Sequence, residues 1–312
     1  MAERGDIPPL SLSIAAVERD TGLSKDTLRV WERRYGFPVP ARDGTGERAY
    51  PLDQVEKLRV IKRLMDAGHR PGRIVPLPIE DLQLLADSGS GSPQRPGELH
   101  LAPDLRPYVE LIRGHDVDRL RRQLSQAQAR LGLGSFVLEL LAPLNTLVGD
   151  TWMRGHLEIF EEHLYTESVH VVLRQGIASV PQPEAGSARP RVLLTTVPNE
   201  PHSLGLLMAE ALFLLDGARC VSLGTQTPIW DIVLAATAHR ADIVALSFTA
   251  AQNPNVVVDG LAELREKLPK STEIWAGGAA PVLHRRPTPG VQALAALSDI
   301  APELRRWRRT WL

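Results

Sequence analysis

The stretch Arg191-Val192-Leu193-Leu194-Thr195-Thr196-Val197-Pro198-Asn199-Glu200-Pro201-His202-Ser203-Leu204-Gly205 passes from an apolar run into a loop carrying an acid, an imidazole and a glycine. Arg191 to Thr196 reads as a buried strand, which places His202 in a strand-to-helix loop. In open α/β sheets, loops at the carboxyl ends of parallel strands face a crevice rather than the core. His202 is therefore a candidate ligand residue, with an ordinary loop histidine as the alternative.

The downstream spacing separates these two readings. Forty-one residues lie between Gly205 and Ser247-Phe248-Thr249, and twenty-seven more lead to Gly277-Gly278. Ala241 to Leu246 and Glu273 to Ala276 are short apolar runs followed by small residues, so each motif falls at the end of an expected strand. Three successive loops would then present His202, two hydroxyls and a bare glycine backbone around one crevice. In this order and spacing the chain resembles the cobalamin-binding Rossmann-like domain, whose pattern is (Asp/Glu)-x-His-x-x-Gly, then Ser-x-(Leu/Thr), then Gly-Gly. A generic Rossmann-like domain with small residues at these places is the alternative.

That resemblance implies roles. His202 would be the lower axial ligand to cobalt in place of the cofactor's own dimethylbenzimidazole, with Glu200 as its acidic partner. A ligating imidazole needs its second nitrogen hydrogen-bonded to fix the tautomer. Ser203 and Gly205 fall within the same motif. Ser247 and Thr249 would line the cavity for the displaced nucleotide tail, where Gly277 and Gly278 let the backbone approach without a Cβ.

At 312 residues the chain has room for two or three domains. Its 43% hydrophobic and 23% charged content is ordinary for a soluble globular protein. No apolar run approaches the ~20 residues of a membrane span. The charged opening Met1-Ala2-Glu3-Arg4-Gly5-Asp6 lacks the apolar core of a signal peptide, and the single Cys220 allows no internal disulfide. A cytoplasmic protein is expected, without a membrane partner. Net charge is −1, yet residues 1 to 75 carry fourteen Lys/Arg against eleven Asp/Glu. The excess is modest, so its placement matters more than its size.

Near the start, Ser13 to Asp20 reads as a short amphipathic helix and Lys25 to Tyr35 as a second, with Ser24 as N-cap and Thr21-Gly22-Leu23 as the turn. This is helix-turn-helix spacing, in which Leu28 and Trp31 face inward. Lys25, Thr27, Arg29 and Arg33 are offered to the major groove. Pro38 to Glu47 is rich in turn formers and reads as a wing, from which Arg42, Arg48 and the Tyr50 hydroxyl could hold phosphates. A long helix follows from Asp53 to Ala67. The order, with Leu28-Arg29-Val30-Trp31-Glu32-Arg33-Arg34-Tyr35-Gly36, resembles the MerR-family DNA-binding domain over about seventy residues; a helical protein-interaction module is the alternative. Near-palindromic sites in that family imply at least a dimer on operator DNA.

Ser, Gly and Pro dominate from Asp87 to Pro103, the composition of a flexible linker. Helical periodicity then returns in four segments, 104 to 113, 116 to 130, 134 to 151 and about 156 to 179, as in a helix bundle. Within it, Trp152 precedes Glu162-His163 by the Trp-x9-Glu-His spacing that resembles the CarH/LitR group of cobalamin-dependent regulators. Gly155 is expected to leave Trp152 on a loop, while His156, Ile159 or Phe160, and His163 share a helix face. The resemblance makes this a lid over the upper side of adenosylcobalamin, with Trp152 packing on the adenosyl group and Glu162 hydrogen-bonding it. For Trp152 and His163, core or structural roles are the alternatives. Two departures stand out. Met153 occupies the place of a histidine that captures cobalt after photolysis in light-sensing members, which leaves His156 as a possible upper ligand, since a thioether is poorer than imidazole for oxidised cobalt. Pro201 replaces a position that can carry an arginine in family tetramers.

The expected architecture is multidomain. It has an all-α winged helix-turn-helix at 1–80, a linker at 81–103, a four-helix bundle at 104–183 and an α/β Rossmann-like domain with five parallel strands at 184–312. The basic, aromatic tail Leu304 to Leu312 reads as a last helix docking its tryptophans on the sheet, in preference to a second nucleic-acid contact. The resemblance implies a light-responsive repressor that binds adenosylcobalamin, works as a homodimer or homotetramer and leaves DNA on illumination. A light-independent cobalamin-binding or apo-form regulator is the alternative. A cobalamin enzyme subunit would be expected to bring a substrate domain, commonly a barrel of about 250 residues, and no such segment is present.

Overall fold

The computed structural model describes residues 11–42, 46–66, 69–88, 104–181, 189–250 and 252–311. The chain divides into two compact units: Met1–Pro96 with Asp150–Leu157, and Gly97–Gly149 with Glu158–Leu312.

In the first unit, β1 (Ser11–Ser13) leads into α1 (Ile14–Thr21) and α2 (Lys25–Tyr35). Ser13 and Ser24 cap the two helices by accepting the backbone N–H groups of Ala16 and Thr27. Gly22 and Gly36 end them in the left-handed conformation, at φ 70° and 67°. The wing strands β2 (Ala41–Arg42) and β3 (Arg48–Pro51) pair antiparallel, and β1 adds to the other side of β3. The domain is thus not all-α: Ser11 to Ser13, too short a run to mark a strand by its single apolar Leu12, pair with Ala49 to Pro51. Asp43 to Thr45, inside the expected wing, lie outside the described residues.

α3 (Leu52–Asp66) supplies Val55, Leu58 and Ile61 to a core with Val17, Leu28, Trp31 and Tyr50. Arg59 of α3 holds Asp20 of α1 through two 2.8 Å hydrogen bonds. Beyond α3 come α4 (Pro71–Ile74) and α5 (Ile79–Ser88), whose Ile74 and Leu82 close the core. α5 occupies the first residues of the stretch read as linker; the remainder, 89–103, lies outside the described residues.

The second unit begins with α6 (Arg106–Arg113) and α7 (Val117–Leu131). A continuous helical run follows, made of α8 (Leu133–Ser135), a π-helical stretch (Phe136–Leu141) and α9 (Ala142–Met153), the last of which ends in the first unit from Asp150 on. Its cause is local: Pro143 has no N–H for the Glu139 carbonyl, and Ala142 N–H reaches back five residues to Val137 instead. α10 (Ile159–Ala178) completes the helical region. It starts from a reciprocal cap between Glu158 and Glu161.

The α/β part runs β4 (Arg191–Thr195), α11 (Leu204–Leu215), β5 (Arg219–Gly224), α12 (Ile229–Ala238), β6 (Ile243–Phe248), α13 (Pro254–Lys267), β7 (Glu273–Gly278), α14 (Val282–Arg285), β8 (Val291–Ala293) and α15 (Ile300–Trp311). The five strands are parallel in the order β5-β4-β6-β7-β8. Because the chain passes from β4 to β5 on one side and then to β6 on the other, the carboxyl end of β4 lies at the point where the strand order reverses, the usual ligand crevice of such sheets. α15 is pinned by Glu273 at the start of β7, which accepts from Arg306, Trp275 Nε1 and Trp311 Nε1. The expected docking of the tail on the sheet is what the fold shows.

Candidate cofactor site and DNA-contacting face

The loop between β4 and α11 is held from several sides. Thr196 Oγ1 donates to the Glu200 carbonyl at 2.6 Å and accepts from Gln226 N–H at 2.8 Å, while Gln252 binds the Asn199 carbonyl. Asn199 takes φ 65°, a conformation asparagine tolerates better than most residues.

Within this loop Glu200 is fully buried. One of its oxygens accepts from His202 Nδ1 at 2.6 Å and from the His202 backbone N–H at 3.2 Å. The other accepts from the backbone N–H and hydroxyl of Thr249, both at 2.8 Å. Burial pushes the Glu200 carboxyl up, but these four hydrogen bonds together outweigh it and hold the group below the usual carboxylate range. An ionised carboxylate can accept and not donate, so the proton of His202 sits on Nδ1 and the lone pair falls to Nε2. The imidazole itself is 57% exposed. Glu200, His202 and Thr249, read from two separate motifs, thus form one network.

The glycines complete the cradle. A Cβ on Gly205 would lie 2.8 Å from Ser247 Oγ, and one on Gly278 would lie 2.2 Å from the Phe248 carbonyl oxygen, with Gly278 at φ 110°. Ser247 and Phe248 stand in register beside Gly277 and Gly278. An imidazole with its tautomer fixed, beside hydroxyls and side-chain-free backbone, fits a corrinoid that takes one axial ligand from the protein and lays a nucleotide tail along the crevice. Ser203 points elsewhere: its hydroxyl bonds His170 Nε2 of α10 at 2.8 Å. His170 was not singled out from the sequence, because nothing local marks a mid-helix histidine as the partner of a loop 33 residues away.

In α10, Glu162 accepts from Thr166 Oγ1 at 2.7 Å and lies 3.7 Å from His163 Nε2. His163 is 69% exposed, and Ile159 is half-buried one turn before it. Two expectations are corrected. Trp152 is in the last turn of α9 and not on a loop, since Gly155 stops the chain three residues later at φ 76°. His156 is exposed in the turn before α10, so it shares no helix face with Ile159 and His163. Trp152 belongs with the first unit, where the Arg63 guanidinium lies 5.3 Å from the centre of its ring.

In the first unit, Arg29 and Arg33 of α2 are exposed. Lys25 lies 3.6 Å from Glu18, and Arg29 lies 3.4 Å from Asp26. Thr27 bonds the capping Ser24 hydroxyl, and Arg42 donates to the Gly46 carbonyl at the wing. Arg48 is paired to Glu32 at 3.0 Å. Tyr50 does not offer its hydroxyl to phosphates: the whole side chain is buried in the core, and burial raises its pKa. Arg48 and Tyr50, two residues apart, share one face of β3. Tyr50 lies opposite Leu12 of β1 and enters the core with Val55 and Leu58, while Arg48, opposite Arg42 of the wing, is only half-buried.

Three family models match the chain: the MerR HTH family regulatory protein over residues 12–76, and B12 binding domains over 105–175 and 190–296. The chain is 32% identical to the HTH-type transcriptional repressor CarH of Myxococcus xanthus over 85% of its own length and 87% of that protein's. To CarA of the same organism it is 30% identical over 78% and 79%. Among solved structures it is similar to the monomethylamine corrinoid protein of Methanosarcina barkeri, with a TM-score of 0.50 and 16% identity over 63% of this chain and 94% of that one. That likeness shows a shared fold. Among the described residues no helix is long and apolar enough to cross a membrane. With a MerR helix-turn-helix, two B12 binding matches and these two relatives, the chain belongs to the CarH/CarA family of transcriptional regulators.

Proposed function

We propose that this protein is a repressor, and not an enzyme, that holds adenosylcobalamin on His202 and leaves its operator when light breaks the cofactor's bond to the adenosyl group. The observation that carries the reading is the Glu200–His202–Thr249 network at the end of β4, with its 2.6 Å bond to Nδ1. It presets the imidazole for ligation through Nε2, and such outer partners typically contribute a factor of 10–100 in metal affinity. Bound adenosylcobalamin supplies a photolabile cobalt–carbon bond.

Ser247, Thr249, Gly205, Gly277 and Gly278 line the crevice for its nucleotide tail. Trp152, Ile159, Glu162 and His163 serve the upper side. A ligand moves a conformational equilibrium by its differential contacts alone, so adenosyl contact at Trp152 and Glu162 supplies the bias between the DNA-bound and released states. Lys25, Thr27, Arg29 and Arg33 face the major groove, and Arg42 and Arg48 face backbone. The DNA-bound form is a homodimer or homotetramer in the cytoplasm.

Met153 favours a second reading, in which the regulator responds to cobalamin but not to light, because the position after Trp152 offers no imidazole to secure the photolysed state. His156, exposed in the adjoining turn, is the alternative upper donor. The test is assembly and DNA affinity of the adenosylcobalamin-loaded protein before and after green light. Loss of DNA binding and of the oligomer on illumination supports photorelease. Cofactor-dependent binding that light leaves unchanged supports the second reading.

A further inference from the structure

The α/β domain carries a second concave region at the opposite end of its strands from His202. β4 begins at Arg191, β5 begins at Arg219, and His239 and Arg240 lead into β6. Arg191, Arg219, His239 and Arg240 line a cavity of about 240 Å³. An adjoining cavity of about 340 Å³ shares Arg240 and is walled by Arg189 and Trp307. At ~3.3 Å per residue, strands of five and six residues set this region about 17–20 Å from the cofactor loop.

Its charge is unbalanced. Asp242 is the sole acid among the described residues lining either cavity. It is already engaged by the Arg189 guanidinium, by the Arg191 backbone N–H at 2.7 Å and by Arg191 Nε at 3.7 Å. Arg219 and Arg240 are exposed and, among the described residues, make no ion pair. Arg240 takes φ 49°. A glycine or asparagine would make that turn with less strain, so the turn does not account for an arginine there.

Two buried donors in the same walls make no hydrogen bond: Trp307 Nε1, and Arg191 Nε, which meets Asp242 only at the 3.7 Å distance of an ion pair. Leaving a buried donor without a hydrogen bond is unfavourable, because its water is lost and nothing replaces it. N–H donors call for oxygen acceptors, and the surplus of guanidinium calls for a multiply charged anion, which together describe a phosphate group.

We propose that the amino-terminal edge of the sheet is a phosphate-binding site built on Arg191, Arg219 and Arg240, with Trp307 beside it. The phosphate belongs either to a free phosphorylated compound or to the backbone of bound DNA, and the chemistry of recognition is the same for both.

The test uses the full chain and the double variant Arg219→Ala/Arg240→Ala. Both positions are exposed, so the fold tolerates the change, and cobalamin binding at His202 reports that it has. Inorganic phosphate is titrated with ³¹P line width as readout, and a random-sequence duplex is titrated at several salt concentrations. The double variant is expected to bind inorganic phosphate at least tenfold more weakly, and Arg219→Lys/Arg240→Lys to recover most of that loss. If DNA is the source, the salt dependence of duplex binding also falls by about one counterion per lost contact, about two in all. An unchanged salt dependence with lost phosphate binding assigns the site to a free compound. Unchanged phosphate binding and unchanged salt dependence in the double variant overturn the proposal.

Discussion

His202 stands or falls with Glu200. The carboxylate is fully buried with four hydrogen bonds, so its removal both unfixes the imidazole tautomer and leaves Thr249 without its acceptor. Glu200→Gln keeps the shape but loses a charge-assisted bond, and equilibrium dialysis is expected to show cobalamin affinity falling about 10–100-fold. Gly205→Ala places a methyl 2.8 Å from Ser247 Oγ. The hydroxyl can rotate, so the fold should survive while cofactor affinity drops. Gly278→Ala has no such escape, because its Cβ would meet the Phe248 backbone at 2.2 Å with φ at 110°. It is expected to cost about 3 kcal/mol or more in urea denaturation, or to prevent folding. At this scale the motif residues were legible in the sequence because each closes an apolar strand. The Tyr50 side chain was not, since Arg48 and Tyr50 share a strand face and only the packing of α1 and α3 against its far end buries the tyrosine.

Among the elements, α2 depends on its ends. Ser24 Oγ accepts the Thr27 N–H at 3.1 Å, and Ser24→Ala should destabilise the DNA-binding unit by about 1 kcal/mol, measured as a shift in urea midpoint. The bounds of α2 were readable, because Ser24 and Gly36 are unambiguous start and stop signals. The turn between α9 and α10 was not: Gly155 marks the break, but the cap at Glu158 decides where the next helix begins and leaves His156 outside it.

α15 shows a pH dependence with a definite sign. Burial raises the Glu273 carboxyl, yet hydrogen bonds from Arg306, Trp275 and Trp311 lower it further, for a net depression. The folded value lies below the unfolded one, so the stabilisation is present at neutral pH and disappears as pH falls through the depressed value. Trp307 and Trp311 fluorescence should therefore hold steady down to the ordinary carboxylate range near 4.5 and change below it. In Glu273→Gln that acid transition should be absent from the C-terminal helix, with about 1–3 kcal/mol lost already at pH 7.

For the molecule as a whole, the regulatory reading joins a DNA-binding unit to a cobalamin domain through the family to which the chain belongs. The three-part order was plain from composition and periodicity, and the five parallel strands fall where the apolar runs predict. The tie between Ser203 and His170 was invisible, because it depends on α10 packing against α11, a contact no local pattern encodes. That tie joins the helical region to the cofactor loop, so His170→Ala should weaken cobalamin retention less than His202→Ala does.

The regulatory cycle proposed for this protein depends on His202 anchoring the cofactor. The most direct measurement is retention of adenosylcobalamin in the dark, read as corrinoid absorbance per chain after desalting, for the wild-type protein and for His202→Ala at matched circular dichroism. With His202 as the anchor, the wild type retains the cofactor near-stoichiometrically and the variant almost none. Equal retention by the two proteins would contradict that role.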